Sequence, residues 1–223
     1  MAAQPLPTLR STVLPRPIGL TVLLAAATLG FAAGTAGAQE GSAEAGQAKS
    51  GTCIACHGPD GNAPTSTLNW PSLAGQHATY IARQLEAFRS GERTDAGMRG
   101  MAATLSEEDS RDVAAWFASQ SLATKGADPA LVERGQRIYR GGIPERGVAA
   151  CIACHGPGGQ GNPLAGYPRV SHQDAAYLAK TLRDYRSGER SSDAELNQMM
   201  RNTAEFLLDE EIEALASYMQ GLH

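Results

Sequence analysis

The sequence is poor in aromatic residues, in excess basic charge and in long apolar runs. Phe, Trp and Tyr make up 5% of the 223 residues. Lys and Arg number 19 against 23 Asp and Glu, for a formal net charge of −4. Without a basic excess the chain does not suit the phosphate backbone, so we expect no nucleic-acid partner. Beyond residue 38 no apolar run is long enough to span a bilayer.

The first 38 residues have the features of an export signal. Arg10 and Arg16 precede an apolar run over 18–33, and Ala36-Gly37-Ala38 supplies a small-x-small cleavage pattern. We therefore expect cleavage after Ala38. The alternative is an uncleaved N-terminal anchor, because an apolar run of this length could just span a thin bilayer.

Cysteine is also scarce, and all four cysteines stand in two identical motifs. The segment CIACHGP occurs at 53–59 and again at 151–157. Each motif has two cysteines three positions apart, with a histidine directly after the second. These residues are Cys53, Cys56 and His57 in the first motif, and Cys151, Cys154 and His155 in the second. No cysteine remains for a structural disulfide.

The motifs belong to a longer internal repeat. QHATYIARQLEAFRSGER at 76–93 matches QDAAYLAKTLRDYRSGER at 173–190, and MRGMAATL at 98–105 matches MRNTAEFL at 200–207. The sequence therefore predicts two domains of one fold, at 39–122 and 123–223. Their seam is expected near Ser119–Asp128, where the hydrophobic periodicity lapses.

Both halves have the pattern of helices joined by loops. In 76–90 the apolar residues have helical spacing, and Gly91 is a suitable end for that helix. Ser106 with Asp109 is typical of a helix start with a capping box, and a matching last helix is predicted to begin at Asp209. No stretch alternates polar and apolar residues for long, so the predicted fold class is all-α.

The Cys-x-x-Cys-His spacing suits covalent haem. Cysteines three apart on a helical turn face the same side, where they can form thioethers with the two vinyl groups of one haem. The next histidine then reaches the iron. A zinc site would need a fourth ligand, and a thioredoxin-type pair would need a βαβ context. We therefore expect two covalently attached haem c groups, each contributing about 5–10 kcal/mol of apolar burial at about 25 cal/mol per Å².

The repeat selects candidates for the second axial ligand. Alignment of MRGMAATL with MRNTAEFL superposes Met98 on Met200, whereas Met101 falls on Thr203 and Met199 falls on Gly97. If both domains use the same ligand, Met98 and Met200 are the predicted pair. A methionine is more often a flexible core residue, and only the repeat argues otherwise here.

Histidine is the rival for that position. His77 aligns with Asp174 and His172 aligns with Gly75, so neither is repeated. We expect these two histidines and the C-terminal His223 to be solvated.

Two prolines stand at similar distances after the motif histidines. Pro71 follows His57 by 14 residues and Pro168 follows His155 by 13. A ligating histidine normally donates its other ring N–H to a fixed acceptor, and a backbone carbonyl at these prolines could accept it. The alternative is that the prolines only stiffen a loop.

Beyond 38, the chain resembles the cytochrome c4 family along nearly its whole length. The resemblance is carried by GQAKSGTCIACHG, PSLAGQ, YIARQLEAFRSGER, RGQRIYRGG and IEALASYMQGLH. It implies two tandem class I cytochrome c domains related by pseudo-two-fold symmetry, with the haem propionate edges facing each other. It also implies that each domain uses its Cys-Cys-His motif and its aligned methionine, Met98 or Met200, and that Pro71 and Pro168 supply carbonyls orienting the haem histidines.

The resemblance further implies a periplasmic one-electron carrier rather than an enzyme. The expected partners are a quinol-oxidising donor complex and a terminal haem–copper oxidase, with possible peripheral association with the membrane. Two other functions fit the same motifs. One is a dihaem peroxidase, which keeps one iron open, and the other is an obligate cytochrome subunit of a membrane dehydrogenase or oxidase.

Overall fold

The computed structural model describes residues 40–64 and 69–223, and every regular element in these ranges is a helix. The expected signal, 1–38, lies outside the described residues, so its cleavage stays a prediction. Within the described ranges no helix is long and apolar enough to cross a membrane. The predicted all-α fold class is confirmed.

Each half of the described chain contributes five α-helices. In the first half they are α1 Ala43–Lys49, α2 Ile54–His57, α3 Ala78–Ser90, α4 Ala96–Ala103 and α5 Glu107–Ser119. In the second half they are α6 Pro129–Gly141, α7 Ile152–His155, α8 Ala175–Ser187, α9 Met199–Ala204 and α10 Asp209–Gln220. Single 3-10 turns lie at Ser50–Thr52, Pro144–Arg146 and Ala194–Leu196.

The helices of the two halves pack in the same way. In the first half α5 packs against α1 and α3, and α3 also packs against α4. In the second half α10 packs against α6 and α8, and α8 packs against α9. The residues between Ser119 and Pro129 form a non-helical connection, which is where the sequence predicts the seam between 39–122 and 123–223.

Local signals in the sequence account for several helix ends. Ser106 and Asp109 form a reciprocal capping box at the start of α5. α3 ends at Gly91, whose φ of 84° lies in the left-handed region that glycine adopts without strain. α10 begins at Asp209, as predicted, and Ile212 and Leu215 on its apolar side are buried.

A glycine lets the first helix of each half approach the last one closely. A Cβ added at Gly46 in α1 would lie 1.9 Å from the carbonyl oxygen of Asp112 in α5. A Cβ added at Gly135 in α6 would lie 2.2 Å from the carbonyl oxygen of Ala214 in α10. Only glycine allows this backbone-to-backbone contact. The first and last helices of both domains therefore pack together through an equivalent glycine.

Each half has its own apolar core. The core of the first half is built around Ile81, Leu85, Val113 and Phe117, and the larger core of the second around Tyr139, Ile212 and Leu215 and their neighbours. The first cysteine of each motif and one methionine pack against the core of their own half. These are Cys53 and Met98 in the first half, and Cys151 and Met200 in the second.

The glycine contact predicts a specific loss of stability. Gly135→Ala should lower the free energy of unfolding by about 1–3 kcal/mol, because α6 and α10 must move apart to admit the methyl group. Gly141→Ala is the matched control, since an added Cβ there meets nothing within 4 Å. Denaturant unfolding of the two variants measures both effects. Equal stability of the two variants would contradict the close contact.

Candidate haem sites

The two Cys-x-x-Cys-His motifs form matching single turns of helix. In the first, the amide N–H of His57 donates to the carbonyl oxygen of Cys53 over 3.0 Å, and the corresponding distance from His155 to Cys151 is 2.9 Å. A glycine with positive φ follows each histidine, at 83° for Gly58 and 78° for Gly156. The chain therefore turns sharply away after the histidine and leaves its ring facing inward.

The four cysteines are free and half-buried, and none forms a disulfide with another. Burial raises the pKa of the Cys53 thiol and raises the pKa of Cys151 to about 12. In the folded chain burial therefore favours the neutral thiol at both positions. No group of three His, Cys, Asp or Glu side chains within 40–64 and 69–223 is placed to hold a metal ion. The zinc alternative thus finds no support in these residues.

Each motif histidine is buried and tied to a proline carbonyl. His57 is 5% exposed, and its Nδ1 lies 2.8 Å from the carbonyl oxygen of Pro71. His155 is 7% exposed, and its Nδ1 lies 2.9 Å from the carbonyl oxygen of Pro168. A carbonyl oxygen only accepts, so Nδ1 carries the hydrogen and donates it. The contact that the spacing suggested is present in both halves.

The electrostatics of these rings suit metal binding through the other nitrogen. Burial lowers the pKa of His57 and of His155, and the hydrogen bond to the proline carbonyl opposes this only in part. The rings are therefore neutral at neutral pH. With Nδ1–H committed to the carbonyl, the lone pair of Nε2 is free for an iron atom.

The two methionines predicted as second ligands occupy equivalent places. Met98 in α4 and Met200 in α9 are half-buried, and each packs against the core that its motif cysteine also contacts. Met101, one turn after Met98, has 45% of its surface exposed. The structure therefore favours Met98 over Met101 as the residue that faces the core, in agreement with the repeat. The role of Met98 and Met200 as ligands stays a prediction.

A tyrosine near the second site was not identified from the sequence. The hydroxyl of Tyr167 donates to the sulfur of Met199 over 3.7 Å. The Tyr167 ring centroid lies 6.5 Å from that of His155. A second sulfur therefore lies in the region of this histidine, although Met199 has no methionine partner in the repeat.

The expectation that His77 and His172 are solvated is wrong. His77 is half-buried, and its Nε2 lies 2.8 Å from the carbonyl oxygen of Gln160 in the other half. His172 is also half-buried, and its Nδ1 lies 3.3 Å from the carbonyl oxygen of Gln220. Both side chains contact residues distant in sequence. The repeat alignment, in which neither histidine has a histidine partner, gives no information on such contacts. His223 is exposed, as expected.

The side chains of two arginines form hydrogen bonds across the boundary between the halves. Arg190, 3% exposed, donates from Nη2 to the Tyr80 hydroxyl and to Oε1 of Gln84, over 2.8 Å in both cases. Arg93 donates from Nη2 to the Tyr177 hydroxyl over 3.0 Å. Among the ion pairs of the described residues neither arginine appears. The buried guanidinium of Arg190, beside the half-buried Arg93, fits a bound anionic group, and haem carries two propionates.

Comparison with known proteins identifies the family. The family model described as Cytochrome c matches 43–121 and again 132–223. Cytochrome c4 from Stutzerimonas stutzeri is 45% identical over 192 residues, which cover 82% of this chain and 90% of the relative. The chain belongs to the cytochrome c4 family. As a member of this family, it is a dihaem electron carrier with two haem c groups. Their attachment through the cysteine pairs Cys53/Cys56 and Cys151/Cys154 stays a prediction.

Two further matches extend this comparison. The crystal structure of reduced recombinant cytochrome c4 from Pseudomonas stutzeri has a TM-score of 0.79 and 45% identity, covering 82% of this chain and 100% of that one. The two tandem class I cytochrome c domains predicted from the sequence are confirmed. A Stutzerimonas stutzeri protein named thiosulfate dehydrogenase electron acceptor is 36% identical, covering 76% of this chain and 78% of its own.

Replacement of the methionines tests the ligand assignment. Met98→Ala and Met200→Ala should each abolish the sulfur-to-iron charge-transfer band of one haem and lower the potential of that haem, because a thioether ligand raises it. Optical spectroscopy and a potentiometric titration measure both effects.

Met101→Ala and Met199→Ala are the controls for this experiment. Both should keep the two bands. If Met199→Ala removes the second band, the sulfur next to Tyr167 is the ligand and the register in the second domain is shifted by one residue. If Met101→Ala removes the first band, the register in the first domain is shifted by one turn.

Proposed function

We propose that this cytochrome c4 carries electrons in the periplasm, from a quinol-oxidising donor complex towards a terminal haem–copper oxidase. The observation that supports it is the matched pair of sites. Each domain offers one neutral imidazole with a free Nε2 and one methionine packed against the same core as the motif cysteine. When bound, haem iron closed by these two ligands supplies a one-electron couple of raised potential.

The protein residues keep both sites suited to outer-sphere transfer. The proline carbonyls hold the imidazoles in one orientation, so these ligands would need little rearrangement when a bound haem changes oxidation state. Buried His57 and His155 and their apolar neighbours exclude water from the ligand face. Among the described residues both domains present the same pair of a buried histidine and a half-buried methionine, and this match favours a carrier over a dihaem peroxidase.

The partners and the compartment follow from the family and the N-terminal segment. We infer an exported protein in the periplasm, with peripheral membrane association. The relative named thiosulfate dehydrogenase electron acceptor is evidence that this fold also serves an oxidising enzyme of sulfur compounds. A thiosulfate dehydrogenase is therefore the second candidate for the electron donor.

Ligand binding to the reduced protein tests the carrier against the enzyme. The full chain with both haems should take up one electron per iron and should not bind carbon monoxide at neutral pH, because both axial positions are filled. Optical titration under carbon monoxide measures this. A shifted Soret band, or turnover of peroxide with a reduced donor, would establish an open iron and remove the carrier function.

The direction of electron flow is tested with membranes. The reduced full chain should be reoxidised by membranes that contain a haem–copper oxidase, with oxygen uptake that cyanide blocks. The control is the same membranes without the cytochrome. Reoxidation no faster than in buffer alone would contradict the oxidase as acceptor. Reduction of the oxidised chain by thiosulfate dehydrogenase with thiosulfate, but not by a quinol-oxidising complex, would establish the second donor.

A further inference from the structure

The side chain of Gln173 in the second domain forms two hydrogen bonds with the backbone of Ser72 in the first domain, next to Pro71. The amide N–H of Ser72 donates to Oε1 of Gln173 over 2.8 Å, and Nε2 of Gln173 donates to the Ser72 carbonyl oxygen over 2.9 Å. Both residues are buried, at 3% exposed for Ser72 and 8% for Gln173. The side-chain amide thus satisfies both backbone groups of Ser72 in one geometry.

An equivalent pair of hydrogen bonds joins Gln76 of the first domain to the backbone of Arg169 in the second. The amide N–H of Arg169 donates to Oε1 of Gln76 over 2.9 Å, and Nε2 of Gln76 donates to the Arg169 carbonyl oxygen over 2.9 Å. Gln76 and Gln173 begin the repeated segments 76–93 and 173–190, so they occupy the same position in their domains. We call the two contacts the glutamine clamps.

Each clamp holds the peptide group that orients a haem histidine. Ser72 follows Pro71, so its N–H belongs to the same planar peptide group as the Pro71 carbonyl. That carbonyl accepts the Nδ1–H of His57. The peptide group is therefore held at one end by the histidine of its own domain and at the other by Gln173 of the opposite domain. Arg169 and Pro168 are arranged in the same way between His155 and Gln76.

The glutamine side chains are held in place by further hydrogen bonds, and there is little room for water to take over their contacts. Oε1 of each glutamine also accepts the next backbone N–H, from His77 or Asp174, over 3.0 Å. The cavity between the clamps has a volume of about 10 Å³, which is room for one water at most. Loss of a glutamine side chain therefore leaves the peptide group less firmly oriented.

We propose that Gln76 and Gln173 are positioning residues, each tuning the haem of the opposite domain. The inference rests on the proposed function, in which His57 and His155 ligate iron. Donation of a peptide N–H polarises its carbonyl and strengthens it as an acceptor. A stronger acceptor withdraws the Nδ1–H and makes the imidazole a more basic ligand, which stabilises ferric iron. The clamp thus lowers the potential of the haem across the domain boundary.

The test compares the two haems separately in Gln76→Leu and Gln173→Leu. A redox titration followed by NMR of the shifted haem methyl signals gives each potential. Gln173→Leu should raise the potential of the haem at Cys53 and Cys56, and Gln76→Leu that of the haem at Cys151 and Cys154. The expected change is up to about tenfold in the oxidised-to-reduced ratio at fixed potential, or about 59 mV for one electron. The haem in the mutated domain should keep its potential.

Two kinds of control separate positioning from general damage. Tyr80→Phe and Tyr177→Phe remove contacts to Arg190 and Arg93 across the same boundary but leave both clamps. When Gln173→Leu is added to either variant, it should raise the potential of the haem at Cys53 and Cys56 by the same amount as in the wild type. Gln173→Glu keeps an acceptor for the Ser72 N–H and should not raise the potential. It also provides a measurable variant if Gln173→Leu fails to fold.

The outcomes are distinct. A shift in the mutated domain, an equal shift in both haems, no shift, or a rise in Gln173→Glu would each overturn the inference. If the wild-type protein lacks two low-spin haems with histidine and methionine ligands, the proposed function fails before any variant is compared. If it has them and the crossed shift is missing, the inference alone fails.

Discussion

The hydrogen bond from a buried imidazole to a proline carbonyl is the contact on which both sites depend. It assigns the hydrogen to Nδ1, holds the ring in one orientation and leaves Nε2 for the iron. The neighbouring elements of each domain place the ring and its acceptor next to each other. The single-turn helix places the histidine, the glycine after it turns the chain away, and the proline carbonyl lies opposite the ring.

The boundary between the halves is polar and reciprocal rather than apolar. Arg93 meets Tyr177 of the second half, and Arg190 meets Tyr80 of the first. Although burial raises the pKa of the Tyr177 hydroxyl, the charges of the two arginines lower it below its usual value. The relative position of the two halves depends on these contacts, because each arginine has a hydrogen-bond partner in the other half. The pair of domains thus behaves as one structural unit.

Much of this arrangement could be predicted because the chain repeats itself. The identical motifs indicated haem and the aligned segments indicated two helical domains. The spacing from His57 to Pro71 left the ring acceptor open, and the family resemblance favoured the proline carbonyl. The contacts between the halves could not be predicted. Gln76 and Gln173 are ordinary polar residues at a helix start, and only the fold shows that each reaches the opposite domain. The burial of His77 and the contact of Tyr167 with Met199 depend on tertiary packing in the same way.

The glycine contacts at Gly46 and Gly135 have a consequence for the order of events in biosynthesis. In each domain the first helix packs closely on the last helix, and the cysteine pair lies between the two in the chain. A polypeptide that crosses the membrane amino end first therefore exposes its thiols before the segment that will enclose them has emerged. The architecture leaves an interval in which a ligation enzyme can reach both sulfurs, and completion of the domain ends that interval.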